Sequence, residues 1–239
     1  MTSSDFSQPA PDAWSLALET TSKQASLAIG KAGRVVEQHR CETDSAKNLV
    51  PTIQSLLKNH GVAVPEIRSI SIAEGPGSFT GLRVGVTVAK TLGYLADCPI
   101  IPVNSLRLLA FQAFQELANA DPQPTPRQIS AVMDAQRKQL FVGHFSCDHQ
   151  LQALSEIQIQ NNESFQASIA ADSLVTGPGL SKLSLDEAVK FGNKDAWQPD
   201  AGSLLELGWQ EWTQGNIIDH WHLRPKYYRQ SAAEEKLSS

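Results

Sequence analysis

Apolar residues in this chain come in short bursts between polar turns, and the spacing inside each burst assigns its element. Residues 14–30 (WSLALETTSKQASLAIG) place two apolar stretches around a polar turn, the pattern of two strands in a hairpin. Residues 128–145 (QISAVMDAQRKQLFVGHF) repeat that order, with Asp134 where the first unit has Glu19 and Lys138-Gln139 where it has Lys23-Gln24. A β-branched run, SISIA at 69–73, leads into Gly75-Pro76-Gly77, and DSLVT at 172–176 leads into Gly177-Pro178-Gly179. These correspondences, in one order, predict two halves of a duplicated α/β unit.

Helical spacing marks three further segments. Residues 46–60 carry Leu49, Ile53, Leu56 and Leu57, with Gly61 as a stop, and Pro51 predicts either a start or a kink there. Residues 104–118 carry Leu108, Leu109, Phe111 and Phe114 behind a cap at Asn104 or Ser105, and residues 200–213 carry Leu204, Leu205, Leu207 and Trp209. Between the halves, NADPQPTPR at 119–127 holds three prolines, which suit a linker and no helix or central strand. The expected division is therefore 1–118, the linker 119–127, and 128–239, with a polar, frayed end at 231–239.

The segment GPGSFTGLR (75–83) joins a strand to a helix. It is either a structural turn capped by Ser78 or Thr80, or a phosphate cradle, although it lacks the lysine of a P-loop and the GxGxxG spacing. In the helix that follows, Gly81, Gly85, Ala89 and Gly93 recur every fourth residue and form one narrow stripe. Each glycine costs a helix about 1 kcal/mol relative to alanine, so something must approach closely. It is either the protein's own sheet or a partner helix. Leu49 and Ile53 of the preceding helix join that face, and the six residues together are the candidate partner-binding set.

Composition narrows the function. Of 239 residues, 41% are hydrophobic and 19% charged, the make-up of a globular protein. Twenty Lys+Arg against 25 Asp+Glu give a net charge of −5, which argues against a chain that grips nucleic acid by itself. Cys41, Cys98 and Cys147 lie far apart without CxxC spacing, so neither disulfide nor zinc is expected, and a reducing compartment fits. No apolar run is long enough for a bilayer and residues 1–12 do not read as a signal peptide, so a cytoplasmic location is expected. His39, His60, His144, His149, His220 and His222 make no helical i, i+4 pair and no HExxH; the spacing of His220 and His222 would suit one face of a strand, but with no third ligand in view a surface role is expected. No GxSxG elbow is present either. Neither a catalytic residue nor a metal site is expected.

The strings LALETTSKQASLAI, NLVPTIQSLL, SIAEGPGSFTGLRVGVTVAKTL, PVNSL, AVMDAQRKQLF and the closing RPKYYRQSAAE resemble the TsaB (YeaZ) family. Members of that family work with TsaD in making N6-threonylcarbamoyladenosine in tRNA. The resemblance implies an actin-like fold of the sugar-kinase/Hsp70/actin superfamily, in agreement with the duplication. It also implies a non-catalytic scaffold that supports TsaD in modifying the adenosine next to the anticodon. TsaE would join the larger complex, and the chain alone would form a homodimer through its N-terminal helices. tRNA would be reached only through the complex; no cofactor is required by this subunit, with ATP or ADP placed at the complex interface. The chain departs from the family at two positions. It has Glu19-Thr20 where members often carry Asp-Thr, which weakens an ATP site at this hairpin, and Ser45 where members tend to carry His. Competing readings are an ATP-binding phosphotransferase or ATPase, with Glu19, Thr20 and Asp134 facing nucleotide, and a metallopeptidase-like protein, which the missing histidine pair disfavours.

Overall fold

The computed structural model describes residues 10–41, 45–119, 126–148, 150–170, 172–183 and 190–229. Its first hairpin forms as expected: β1 (Trp14–Glu19) pairs antiparallel with β2 (Ser26–Lys31), from Trp14↔Lys31 to Glu19↔Ser26. Alternation gives each face its own task. Leu16, Leu18, Leu27 and Ile29 join an outer core, while Ala17 and Ala28 join an inner one. β3 (Arg34–Arg40) extends the meander along β2 and is exposed almost throughout, so no apolar alternation announced it. α1 (Ser45–Asn59) contains Pro51 in its interior and does not begin there. β4 (Ile67–Gly75) runs parallel to β1, α2 (Phe79–Ala96) follows, β5 (Ile100–Asn104) pairs with β4, and α3 (Ser105–Ala118) closes the half.

The second half repeats the plan. β6 (Gln128–Gln136), β7 (Gln139–Ser146) and β8 (Gln158–Asn161) form the meander, followed by α4 (Asn162–Ser168), β9 (Ser173–Thr176), β10 (Lys190–Phe191) and α5 (Ala201–Thr213). The sheet orders are β3-β2-β1-β4-β5 and β8-β7-β6-β9-β10, strand for strand the same. Where the first glycine-proline-glycine turn opens the 18-residue α2, the second opens only a 3₁₀ helix, Pro178–Lys182.

The halves are stacked in layers. α1 and α2 cover the outer face of the first sheet, and Phe165 of α4 fills a smaller core with Val132, Val142 and Val175 on the outer face of the second. Between the sheets lie α3 and α5, and they are exchanged: α3 packs on β6 and β7, whereas α5 packs on β1, β2 and β3. Small residues make the second placement possible. Ala17, Ala28 and Ala73 line the inner face of the first sheet, and a Cβ on Gly208 of α5 would stand 1.9 Å from Ser71 Oγ. The helix at 201–213, grouped by chain order with the second half, thus completes the first. Most of the proline-rich linker, and the end at 231–239, lie outside the described residues.

Candidate functional site

A cleft of about 1140 Å³ opens between the two hairpins. One wall is the β1–β2 turn (Thr20 to Lys23) and the start of α2; the other is the end of β6 with its turn (Met133 to Arg137) and the 3₁₀ helix. The glycine-rich turn is ordered as a cap. Ser78 Oγ accepts from Gly81 N at 3.2 Å and Ser78 N donates to Thr21 O at 2.7 Å, tying the start of α2 to the hairpin. Of the two expected caps, Ser78 serves.

The three residues read as nucleotide-facing are separated. Glu19 is fully buried and does not line the cleft. Its carboxylate accepts from Thr21 N at 2.6 Å, Thr21 Oγ1 at 2.5 Å and Ser22 Oγ at 2.7 Å. Burial pushes its pKa up, against those hydrogen bonds. Thr20 is buried against α2, its Oγ1 without a hydrogen-bond partner. Asp134 does face the cleft; its Oδ1 accepts from Gln136 N at 2.7 Å and its Oδ2 lies 3.8 Å from Lys182 Nζ. Of the three residues expected to face a nucleotide, Glu19 therefore does not reach the cleft, its carboxyl being sealed in the turn, whereas Asp134 does, beside a lysine.

The partner-binding set needs a correction too. Leu49 and Ile53 are core residues, 1% and 3% exposed. Gly85, Ala89 and Gly93 are buried, and Gly81 half-buried, on the face of α2 that meets the protein's own sheet. A Cβ on Gly81 would stand 1.8 Å from Thr20 O, one on Gly85 2.1 Å from Thr20 Oγ1, and one on Gly93 3.1 Å from Ile100 Cδ1. Of the two readings of the stripe, close packing within the chain is the one realised. The outward side of the same helices exposes Val50, Tyr94 and Leu95 instead.

What sequence reasoning missed is the closing segment, whose RPKYYR string carries a family resemblance but no signal of where it packs. It runs across the cleft and touches both halves. Lys226 N donates to Glu74 O at 2.9 Å, Asn104 Nδ2 donates to Tyr228 OH at 2.8 Å, and Tyr227 stacks on Phe79 at 4.6 Å. Arg229 donates to Ala135 O at 2.5 Å and to Gln139 Oε1.

Other candidates offer little chemistry. Burial, and then the charge of Asp97, pushes the Cys98 thiol up to about 12, so it holds its proton. His220 and His222 share no strand: they sit in a turn, His222 Nδ1 2.7 Å from Asp219 and His220 edge-on to Tyr94. Among the described residues no three His, Cys, Asp or Glu side chains are placed to hold a metal, and no helix is long and apolar enough to cross a membrane.

Comparison with known proteins adds identity to this geometry. Residues 36–191 match the family model described as TsaD: tRNA N6-adenosine threonylcarbamoyltransferase. The chain is 26% identical to the tRNA threonylcarbamoyladenosine biosynthesis protein TsaB of Haemophilus influenzae, over 93% of this chain and 96% of that one. It is 24% identical to the protein of the same name in Escherichia coli K12, over 93% and 97%. Among solved structures, YeaZ from Pseudomonas aeruginosa superposes with a TM-score of 0.75 at 24% identity, covering 90% of this chain and 99% of that one. The fold is the duplicated actin-like one.

Proposed function

This chain belongs to the TsaB (YeaZ) family within the broader group that the threonylcarbamoyltransferase model describes, and from that premise we propose that it acts in tRNA threonylcarbamoyladenosine biosynthesis as a supporting subunit. It binds the catalytic subunit TsaD and contributes no reacting group of its own to modification of the adenosine next to the anticodon. One observation carries the non-catalytic part of the reading. Glu19 is sealed under Thr21 and Ser22, and Asp134 lies against Lys182, so the described residues of the cleft present no pair of carboxylates to a magnesium–nucleotide complex. TsaE joins the larger assembly, with ATP or ADP at the interface between subunits.

The binding face is the outward side of α1 and α2, where Val50, Tyr94 and Leu95 stand 47%, 63% and 56% exposed. Exposed apolar side chains on the outward faces of these helices are what a partner would cover. Alone, the chain uses the same face for a homodimer in the cytoplasm.

The test is reconstitution with TsaD and TsaE. Modification of tRNA should require this chain, and Tyr94→Ala with Leu95→Ala should abolish co-purification with TsaD while the variant stays folded. Full modification without the chain would overturn the reading. So would ATP hydrolysis by the chain alone at enzyme-like rates, lost on Asp134→Ala.

A further inference from the structure

The cleft differs in charge from the molecule that contains it. The chain as a whole carries −5, yet among the described residues the cleft is lined by Lys23, Arg137, Lys182, Lys194, Lys226 and Arg229 with Asp134 as its acid; Lys182 pairs with Asp134, and Lys226 lies 3.7 Å from Glu74. These cations come from both walls and from the closing segment, so the excess belongs to the whole mouth.

The turn between β6 and β7 shows that this charge is kept against local preference. Gln136 pairs with Gln139, leaving Arg137-Lys138 as a two-residue hairpin turn, and both have positive φ, +53° and +58°. Turns of this type favour Asn-Gly, because residues with a Cβ adopt that region only under strain. Two long cations therefore occupy positions where Asn and Gly would make the better turn. The matching first hairpin also brings a lysine, Lys23, to its tip. Backbone strain of this kind, at the rim of a cleft, marks a functional position.

Aromatic rings are interleaved with the cations. Lys194 lies 6.0 Å from the Trp197 ring centroid, and Arg83 lies over Phe79, which stacks on the partly exposed Tyr227. Phe79, Trp197 and Tyr227 all line the cleft. A cationic trough with ring faces suits a phosphodiester chain with unstacked bases.

We propose that this cleft binds single-stranded RNA, its phosphates on Lys23, Arg137 and Lys194 and a base against Trp197 or Tyr227; the choice of RNA rests on the tRNA role proposed above. Because the rest of the surface is acidic, affinity is low at physiological salt, and the site adds to the grip of the assembled complex.

The experiment measures anisotropy of a fluorescein-labelled oligouridylate of about 12 nucleotides with the whole chain. Binding should be detectable at about 50 mM salt and fall steeply towards about 200 mM. Arg137→Asn with Lys138→Gly should raise the melting temperature and at the same time weaken RNA binding, lowering the salt slope by about one for each lost phosphate contact. Lys23→Glu on the opposite wall should weaken binding without touching the turn, and Lys58→Ala on α1 should leave it unchanged. A stabilised turn variant with wild-type RNA affinity would overturn the proposal, as would no binding at low salt, or complete displacement by tripolyphosphate at equal phosphate concentration. The two readings fail separately: a chain dispensable for modification that still shows this variant pattern sinks the supporting role alone, whereas normal support of TsaD with unaltered RNA binding by both variants sinks this site alone.

Discussion

Glu19 carries a conflict between burial and charge. A carboxyl at the end of β1 is removed from water, and three donors from its own turn only partly compensate for the lost hydration. Its folded pKa lies above the unfolded value near 4.5. Between the two the folded state binds more protons than the unfolded one, so this group makes stability fall as pH rises through that window. Glu19→Gln removes the titration. In urea melts taken from pH 4.5 upward, the gap between variant and wild type should therefore shift in favour of the variant. A gap that stays constant with pH would mean the carboxyl is not desolvated. That an acid stands at this position was plain from the two hairpins; that it points into the turn and away from the cleft was not. Period-2 spacing assigns a side to a strand residue but cannot say whether that side is sealed.

At the scale of elements, α2 shows how far a pattern can be read. Its start, its Ser78 cap and its small-residue stripe all follow from local spacing. The stripe's partner does not, because a narrow apolar groove fits a strand of the same chain as well as a helix of another. Packing on Thr20 and Ile72 now predicts the effect of substitution. Gly85→Ala places a Cβ against Thr20 Oγ1 and should cost about 1–3 kcal/mol of folding stability. Self-association of the folded fraction should be unaltered. Thermal melts beside sedimentation check both, and a stable Gly85→Ala protein that fails to associate would restore the stripe to the interface. β3 went unread for the complementary reason: it is held by its ladder to β2, not by an apolar face of its own.

For the whole molecule, the exchange of α3 and α5 is decisive. The inner core draws on both sheets at once, joining Leu106 and Leu109 of α3 to Ile129 and Met133, and Leu204 and Leu205 of α5 to Ala17 and Ala28. Arg107 of α3 reaches the nearly buried Glu211 of α5 at 2.5 Å, locking the two helices together. Neither half as divided at the linker owns a complete inner face. Unfolding should therefore be a single cooperative transition, with calorimetric and van't Hoff enthalpies equal. Arg107→Met, by leaving Glu211 with Asn216 as its remaining side-chain partner, should lower stability by about 1–3 kcal/mol and keep one transition. Two resolved transitions would show that each half stands on its own.

Local periodicity in the sequence was enough to determine both hairpins, the helices read at 46–60, 104–118 and 200–213, the two glycine-proline-glycine turns and the duplication that relates the halves. Each hairpin, helix and turn depends on residues close together in the chain, where the geometry of strand and helix leaves few choices, and the duplication is legible because the same local order recurs in the second half. Tertiary structure alone decided which sheet α5 completes, what the stripe of α2 touches, that Glu19 is sealed while Asp134 is open, and that the closing Lys226 to Arg229 bridges both walls of a cationic cleft. Apart from the sealing of Glu19 by its own turn, these join residues far apart in the chain, and a side chain's spacing records the face it shares without recording what that face will meet.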